Sequence, residues 1–400
     1  MNPLIKLKTI TLPLLIAVSF AYFGLSPTAK ALLPAPSPDG GYPDGNTAEG
    51  INALHDVNTA VGINNTAVGL NALTHDTTGF SNVAIGEAAL ANNTTGNFNM
   101  AIGTEALRDN NANFNLAIGF RVLFMNATGN HLTGIGAAAL RNNTTAGFNT
   151  AIGADALREN TTGENNTAIG ADALAQNTIG EENTAIGREA LLENTTGKFN
   201  TATGHGALTN NIGADGNTAD GFFALHDNTA GKENTAIGQQ ALAVNQADAS
   251  TAIGFQALYS NDSGVGNTAC GHQALSNNTS GTRNNAIGTG ALFSHLTGNF
   301  NNAVGAFALN ADTAGTGNNA FGDAALAGNT MGLQNTAIGD NALSSNTTGN
   351  WNTAVGQGAL SSNIATDNNT AIGRFALDNN TMGSNNVALG FQRGLFQNGQ

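Results

Sequence analysis

Acidic residues, seven histidines and one cysteine are the side chains of this 400-residue chain that could carry chemistry. Asp155, Asp172 and Glu189 follow one another at intervals of 17, and Glu105 lies on the same interval counted from its own repeat. If the chain coils with that period, Asp155 and Asp172 stack about 4.8 Å apart, the spacing of paired strands. Two carboxylates so close raise the pKa of one, which can then act as an acid. Stacked-coil enzymes that cut polysaccharides use acids clustered on one strand face. Here no basic or aromatic cluster accompanies the pair, and Glu189 sits beside Arg188. A solvated acidic face fits better, with a polysaccharide-acting enzyme as the alternative.

Other chemistries find less support. The seven histidines fall at different places in the repeat, with no pair at ligand spacing on one face. The Gly- and Asp-rich calcium nonapeptide is absent. So are the Gly-x-Ser-x-Gly elbow, the phosphate loop and the dinucleotide fingerprint; the glycines keep the period of the chain, not that of a phosphate. An acyltransferase built on hexapeptides needs a period of six and a catalytic histidine, and neither is seen. No catalytic residue, no metal ligand and no cofactor is therefore expected.

The elements that position these side chains are set by repetition. A glycine ending a Thr-Ala-Ile-Gly-like segment recurs at 69, 86, 103, 119 and so on to 390, always at 17 residues except for two intervals of 16. Counted from that glycine as position zero, the unit reads G-x-x-A-L-x-x-N-T-T-G-x-x-N-T-A-I. Seventeen residues are too few for a helical hairpin repeat. They suit one coil of an all-β parallel solenoid, with two short strands ("NTAIG" and "xxAL") and two turns, stacked about twenty times. The two short coils, ending at Gly119 and Gly254, lose their residue in the turn, where the backbone is exposed.

Rows along the stack carry more than the unit. Position four is leucine in every copy from Leu54 to Leu377, position three alanine except at Val122, and position fifteen alanine with Gly134 an exception. Position sixteen varies among Ile169, Val304, Phe321, Cys270, Thr203 and Asp220. Adjacent strand residues face opposite sides, so the Leu row, with Leu157, Leu174, Leu191 and Leu208, is expected inside together with alanine. The Ile row, with Ile152, Ile169, Ile186 and Ile237, then forms an outer apolar stripe too long for an isolated soluble chain and is a candidate chain–chain interface. The alternative puts isoleucine inside and alanine outside. Asn rows at seven and thirteen are expected to bond coil to coil, and glycines at zero and ten to supply unusual backbone angles. The Asn-Thr-Thr triplets match a glycosylation acceptor, but such a turn produces that match automatically. Phe98, Phe199, Phe300 and Trp351 share position twelve, a candidate partner-contact row or merely a cover for the turn. Thr-rich positions eight, nine and fourteen raise a further alternative, an ice- or crystal-surface-binding ladder; Met100, Leu116, Asn285 and Val387 interrupt row fourteen.

Bulk features set the surroundings. Lys6 and Lys8 precede an apolar run from Ile10 to Phe23, and "TAKA" ends at Ala31, so residues 1–31 read as a cleaved export signal. Residues 32–45 are a Pro/Gly-rich linker and 46–400 the repetitive roll. Cleavage removes Lys6, Lys8 and Lys30 and no acid, taking the net charge from −14 to −17. Such a surface repels phosphate backbones, which excludes nucleic acid as partner. No later apolar run is long enough for a membrane span in the mature chain. The single Cys270 excludes an intrachain disulfide framework.

"NTAIG", followed by a small-residue segment and an Asn/Gly turn, resembles the YadA-like head repeats of trimeric autotransporter adhesins, over residues 46–400. The resemblance implies a left-handed parallel β-roll, three chains side by side, on the outer surface of a Gram-negative-type bacterium. It further implies adhesion to host, matrix or polysaccharide surfaces. The family's usual unit is shorter than 17. No heptad stalk and no set of amphipathic strands for a membrane anchor is recognised, and "GFQRGLFQNGQ" reads as the start of a further coil without a cap.

Overall fold

The computed structural model describes residues 43–58 and 61–391. The export signal read at 1–31 lies outside the described residues, as does the linker at 32–45 apart from a 3-10 turn at Pro43–Gly45. Among the described residues there are twenty-one strands of three residues, from β1 (Thr47–Glu49) to β21 (Val387–Leu389), in a single sheet. Each pairs in parallel with the strand one coil before and one coil after, except β1 and β21, which pair on one side only. Between β8 (Thr167–Ile169) and β9 (Thr184–Ile186) the register is Thr167 to Thr184, Ala168 to Ala185 and Ile169 to Ile186. The chain is thus an all-β parallel solenoid of about twenty turns. No helix among the described residues is long and apolar enough to cross a membrane.

Each coil contributes one strand, not the two expected. The x-x-Ala-Leu segment is a bend in which positions two and four are left-handed: Asp172 has φ 58° and Leu174 φ 52°. Turning alternate residues over sends the N–H groups of positions two and four to opposite neighbours, while that of Ala173 between them bonds Gly170 O of its own coil. Asp172 N donates to Ala154 O of the coil below (2.9 Å), and Leu174 N to Ala190 O of the coil above (3.0 Å). The segment therefore bonds to both neighbours without being extended. Left-handed backbone costs a residue with a Cβ roughly 1–2 kcal/mol. Burying a leucine returns about 1.5–3 kcal/mol, so the conformation persists where the side chain is enclosed.

That enclosure is complete. Leu157, Leu174, Leu191 and Leu208 are 0% exposed, and so is strand residue Ala168. Thr167 and Ile169, on either side of Ala168, face outward. The arrangement with isoleucine inside and alanine outside is not the one found. The two exceptions in the interior rows belong together. A Cβ on Gly134 would lie 2.4 Å from Val122 Cγ1, so the coil that gains carbons at position three gives one up at position fifteen. The same coil buries Leu132 where its neighbours have asparagine.

Two buried amide ladders run beside the leucines. Asn177 Nδ2 donates to Asn160 Oδ1 of the coil below (2.7 Å) and to Gly180 O (3.0 Å). Asn183 N donates to Asn166 Oδ1 (3.0 Å), and Asn183 Nδ2 to Gly197 O (2.8 Å). Polar groups this deep must be paired, and each coil supplies partners for the next. Gly170 at position zero has φ 136°, and a Cβ there would meet Gly187 O at 2.5 Å. Gly180 at position ten does not adopt a left-handed angle. It is needed for space alone, since a Cβ would lie 2.3 Å from Asn177 Oδ1. In the 16-residue coils, Asn110 and Asn245 reach the carbonyls of Ala112 and Ala247 two residues on rather than three, so the strand register is unchanged.

Candidate interaction surface

The outward strand residues form two parallel rows. Ile152, Ile169, Ile186 and Ile237 stand in register along the sheet, each 37–40% exposed because its row neighbours cover the rest. Thr203 and Asp220 occupy the coils between Ile186 and Ile237. Cys270, a free thiol, lies in the same row between Ile253 and Ile287. Beside it runs position fourteen, threonine without a break from Thr133 to Thr268. Asn285, Asn302 and Asn319 then extend the row as an external amide ladder, each bond 2.8 Å. The turn threonines at position eight are already committed: Thr161 Oγ1 donates to Thr178 O and Thr178 Oγ1 to Thr195 O, both at 2.9 Å.

The four position-twelve aromatics do not make one surface. All are left-handed and exposed, but Phe199, Phe300 and Trp351 are separated by whole coils. Arg283 lies over the Phe300 ring at 5.7 Å, and Trp351 Nε1 donates to Gln334 Oε1 at 2.5 Å. Phe98 instead heads a column that the sequence reading missed. Its ring stacks on Phe114 (5.0 Å), Phe114 on His131 (5.1 Å) and His131 on Phe148 (4.9 Å). Phe114 escaped because its coil is one residue short, so it reaches position twelve only when counted back from Gly119. At the Phe98–Phe114 end of the column row fourteen is apolar too, with Met100 and Leu116 preceded by Val83, before the threonines begin at Thr133. Phe98, Met100 and Ile102, followed by Phe114, Leu116 and Ile118, put apolar residues at positions twelve, fourteen and sixteen of two successive coils.

The acids are spread through solvated pairs. Asp155 lies 3.5 Å from Arg158 and Glu189 2.7 Å from Arg188, while Asp172 is half-buried with its N–H in the ladder of bonds between coils. Glu105 meets Arg121 at 2.5 Å. From Glu181 to Lys232 row eleven alternates in sign: Lys198 bonds Glu181 at 3.1 Å and Lys232 bonds Asp215 at 3.3 Å, which limits like-charge stacking there. Among the described residues no three or more His, Cys, Asp or Glu side chains gather as a metal site. The Asn-Thr-Thr acceptor at Asn160 is enclosed, since that asparagine is fully buried. No protein-family model matches the chain, and no curated protein matches it.

Proposed function

We propose that the chain is an exported, non-catalytic adhesin-like scaffold that self-associates side by side, as a homotrimer, through the outer strand face. One observation carries this reading: an in-register, half-exposed row at position sixteen is apolar in most coils of the sheet, with Thr203 and Asp220 its interruptions between Ile186 and Ile237. An apolar stripe of that extent is removed from water when copies pack with their axes parallel. The export signal read in the sequence, the acidic composition and the resemblance to YadA-like heads support an assembly outside the cell. Binding to host, matrix or polysaccharide surfaces then falls to the variable positions, above all the column from Phe98 to Phe148.

Sedimentation of residues 32–400 tests it. The expected result is a trimer in which mild oxidation joins copies through Cys270, because an in-register assembly brings that row to its counterparts. A monomer at micromolar concentration, with Cys270 uncrosslinked, would overturn the proposal. The unbroken threonines from Thr133 to Thr268 favour a second reading, ice binding, for which thermal hysteresis by that monomer is the sign.

A further inference from the structure

Three coils carry the same bend with an arginine at position five: Glu-Ala-Leu-Arg-Asp at 105–109, Asp-Ala-Leu-Arg-Glu at 155–159 and Ala-Ala-Leu-Arg-Asn at 138–142. In the first two, acids at positions two and six hold the guanidinium. Arg108 Nε and Nη2 donate to the two carboxylate oxygens of Asp109 at 3.0 and 2.7 Å, with Glu105 at 3.8 Å. Arg158 Nε donates to Glu159 at 2.7 Å, and Asp155 lies 3.5 Å from its Nη1. In the third bend Ala138 and Asn142 stand where the acids would be. Arg141 is half-buried, and its Nε is enclosed without a hydrogen-bond partner. Among the described residues it forms no ion pair and lies over no aromatic ring. Arg283 and Arg374 form no ion pair either, but they lie over Phe300 and Phe375. The next coil offers Arg141 no free acid, because Glu159 accepts from Arg158 and, at 2.6 Å, from Asn142 Nδ2.

We propose that Arg141 is a binding site for a single carboxylate carried by a ligand, which takes the place that Asp109 and Glu159 fill for the other two arginines. A guanidinium offers a planar fork that matches a carboxylate with two parallel N–H···O bonds. No side-chain bond holds Arg141 where it lies, and an enclosed N–H without an acceptor is costly. Turned outward, its Nε and Nη present to a ligand the edge that Arg108 presents to Asp109. Arg121, one coil below, adds a second guanidinium, of which Nε is committed to Glu105 at 2.5 Å. No acid occurs between Asp109 and Asp155, the stretch that holds both arginines. The acids at either end of that stretch repel a polymer charged at every unit, so one isolated carboxylate fits best. A sugar acid and a simple organic acid share this chemistry. A lone exposed ion pair is weak, which puts the affinity in the millimolar range. The inference goes beyond the adhesion reading and does not depend on it, since it needs one chain and no outer strand face.

Magnetic resonance of the whole chain, with its arginine side-chain nitrogens isotopically labelled, tests it. The Arg141 Nε signal is identified by its loss in Arg141→Lys. D-glucuronate and acetate are titrated at constant ionic strength, with glucose as the neutral control. The Arg141 signal is expected to shift saturably with either carboxylate and not with glucose, while that of Arg188, already paired with Glu189, stays in place. Tighter binding of glucuronate than of acetate assigns the site to sugar acids, and equal binding to simple carboxylates. The double variant Ala138→Glu with Asn142→Asp rebuilds the bend found at 105–109. Glu105 and Ala138 share a φ of 57°, so the fold already accommodates it. With its own acids in place, Arg141 should bind either ligand about tenfold more weakly or worse. The absence of a saturable shift overturns the proposal, as does an equal shift at Arg188 or a double variant that binds like the wild type.

Discussion

Ala168 and Ile169 are neighbours in one three-residue strand, yet they obey different rules. Ala168 is wholly enclosed and its row admits almost nothing else; Ile169 is 37% exposed and its row accepts valine, phenylalanine, cysteine, threonine and aspartate. The difference is one of space. Inside, each side chain meets the leucine and asparagine rows of two neighbouring coils, so a single added carbon must be given up elsewhere, as Val122 and Gly134 do. Outside, only the same row constrains the side chain. The interior therefore encodes the stack, and the exterior is left to whatever the stack meets.

The largest effect should come from breaking the interior. Leu174→Ala removes a fully buried side chain from a residue whose left-handed backbone is held by that burial. The expected cost is about 2–5 kcal/mol. In a repeat array it appears as faster hydrogen exchange in the coils from Gly153 to Gly204, not as a shift of a single global transition. A change below about 1 kcal/mol would mean that the bend, not the leucine, holds the coil.

Much of this contrast was legible beforehand. The glycine metronome, the leucine and alanine rows and the two amide rows each required only the period and the alternation of a strand. The bend was not legible, because nothing in Ala-Leu marks Leu174 as left-handed; the angle is imposed by the coils above and below. Gly180 was misread for a related reason, since glycine signals both unusual angles and tight contact, and only the structure tells them apart. His295 was weighed as a metal ligand, by its distance from other histidines. Counted instead from Gly288 it falls at position seven, inside the ladder, with its Nδ1 2.6 Å from Asp312 Oδ2.

A smaller effect sharpens the comparison by putting charge in the interior. Asp76 begins the position-seven ladder, fully buried, accepting from Asn93 Nδ2 and Gly79 N. Burial pushes its carboxyl up from 3.8 to about 7, against the opposing pull of those two donors. The folded chain therefore holds a proton between pH 4 and 7 that the unfolded chain has lost, and stability declines as pH rises through that window. Asp76→Asn gives this coil the amide its neighbours have. It is expected to remove the slope and to stabilise the coils from Gly69 to Gly103 by roughly 1–3 kcal/mol at pH 8. Hydrogen exchange of those coils at pH 5 and pH 8 measures it, and an unchanged slope would assign the dependence to another group.

The smallest effect on stability belongs to the outer row. Ile152→Ser, Ile169→Ser and Ile186→Ser alter three consecutive members of the exposed stripe and touch neither the leucines nor the amide ladders. Each side chain is already partly in water, so each change should cost the isolated coil no more than about 1 kcal/mol. Protection of Ala173 and Leu174 N–H should therefore stay within a few-fold of wild type. If the stripe is where copies meet, the same triple variant sediments as a smaller species at concentrations where the wild-type chain is assembled. Loss of protection as large as that from Leu174→Ala would erase the distinction between the two faces. Unchanged protection with unchanged sedimentation would leave the distinction standing and move the interface elsewhere on the coil.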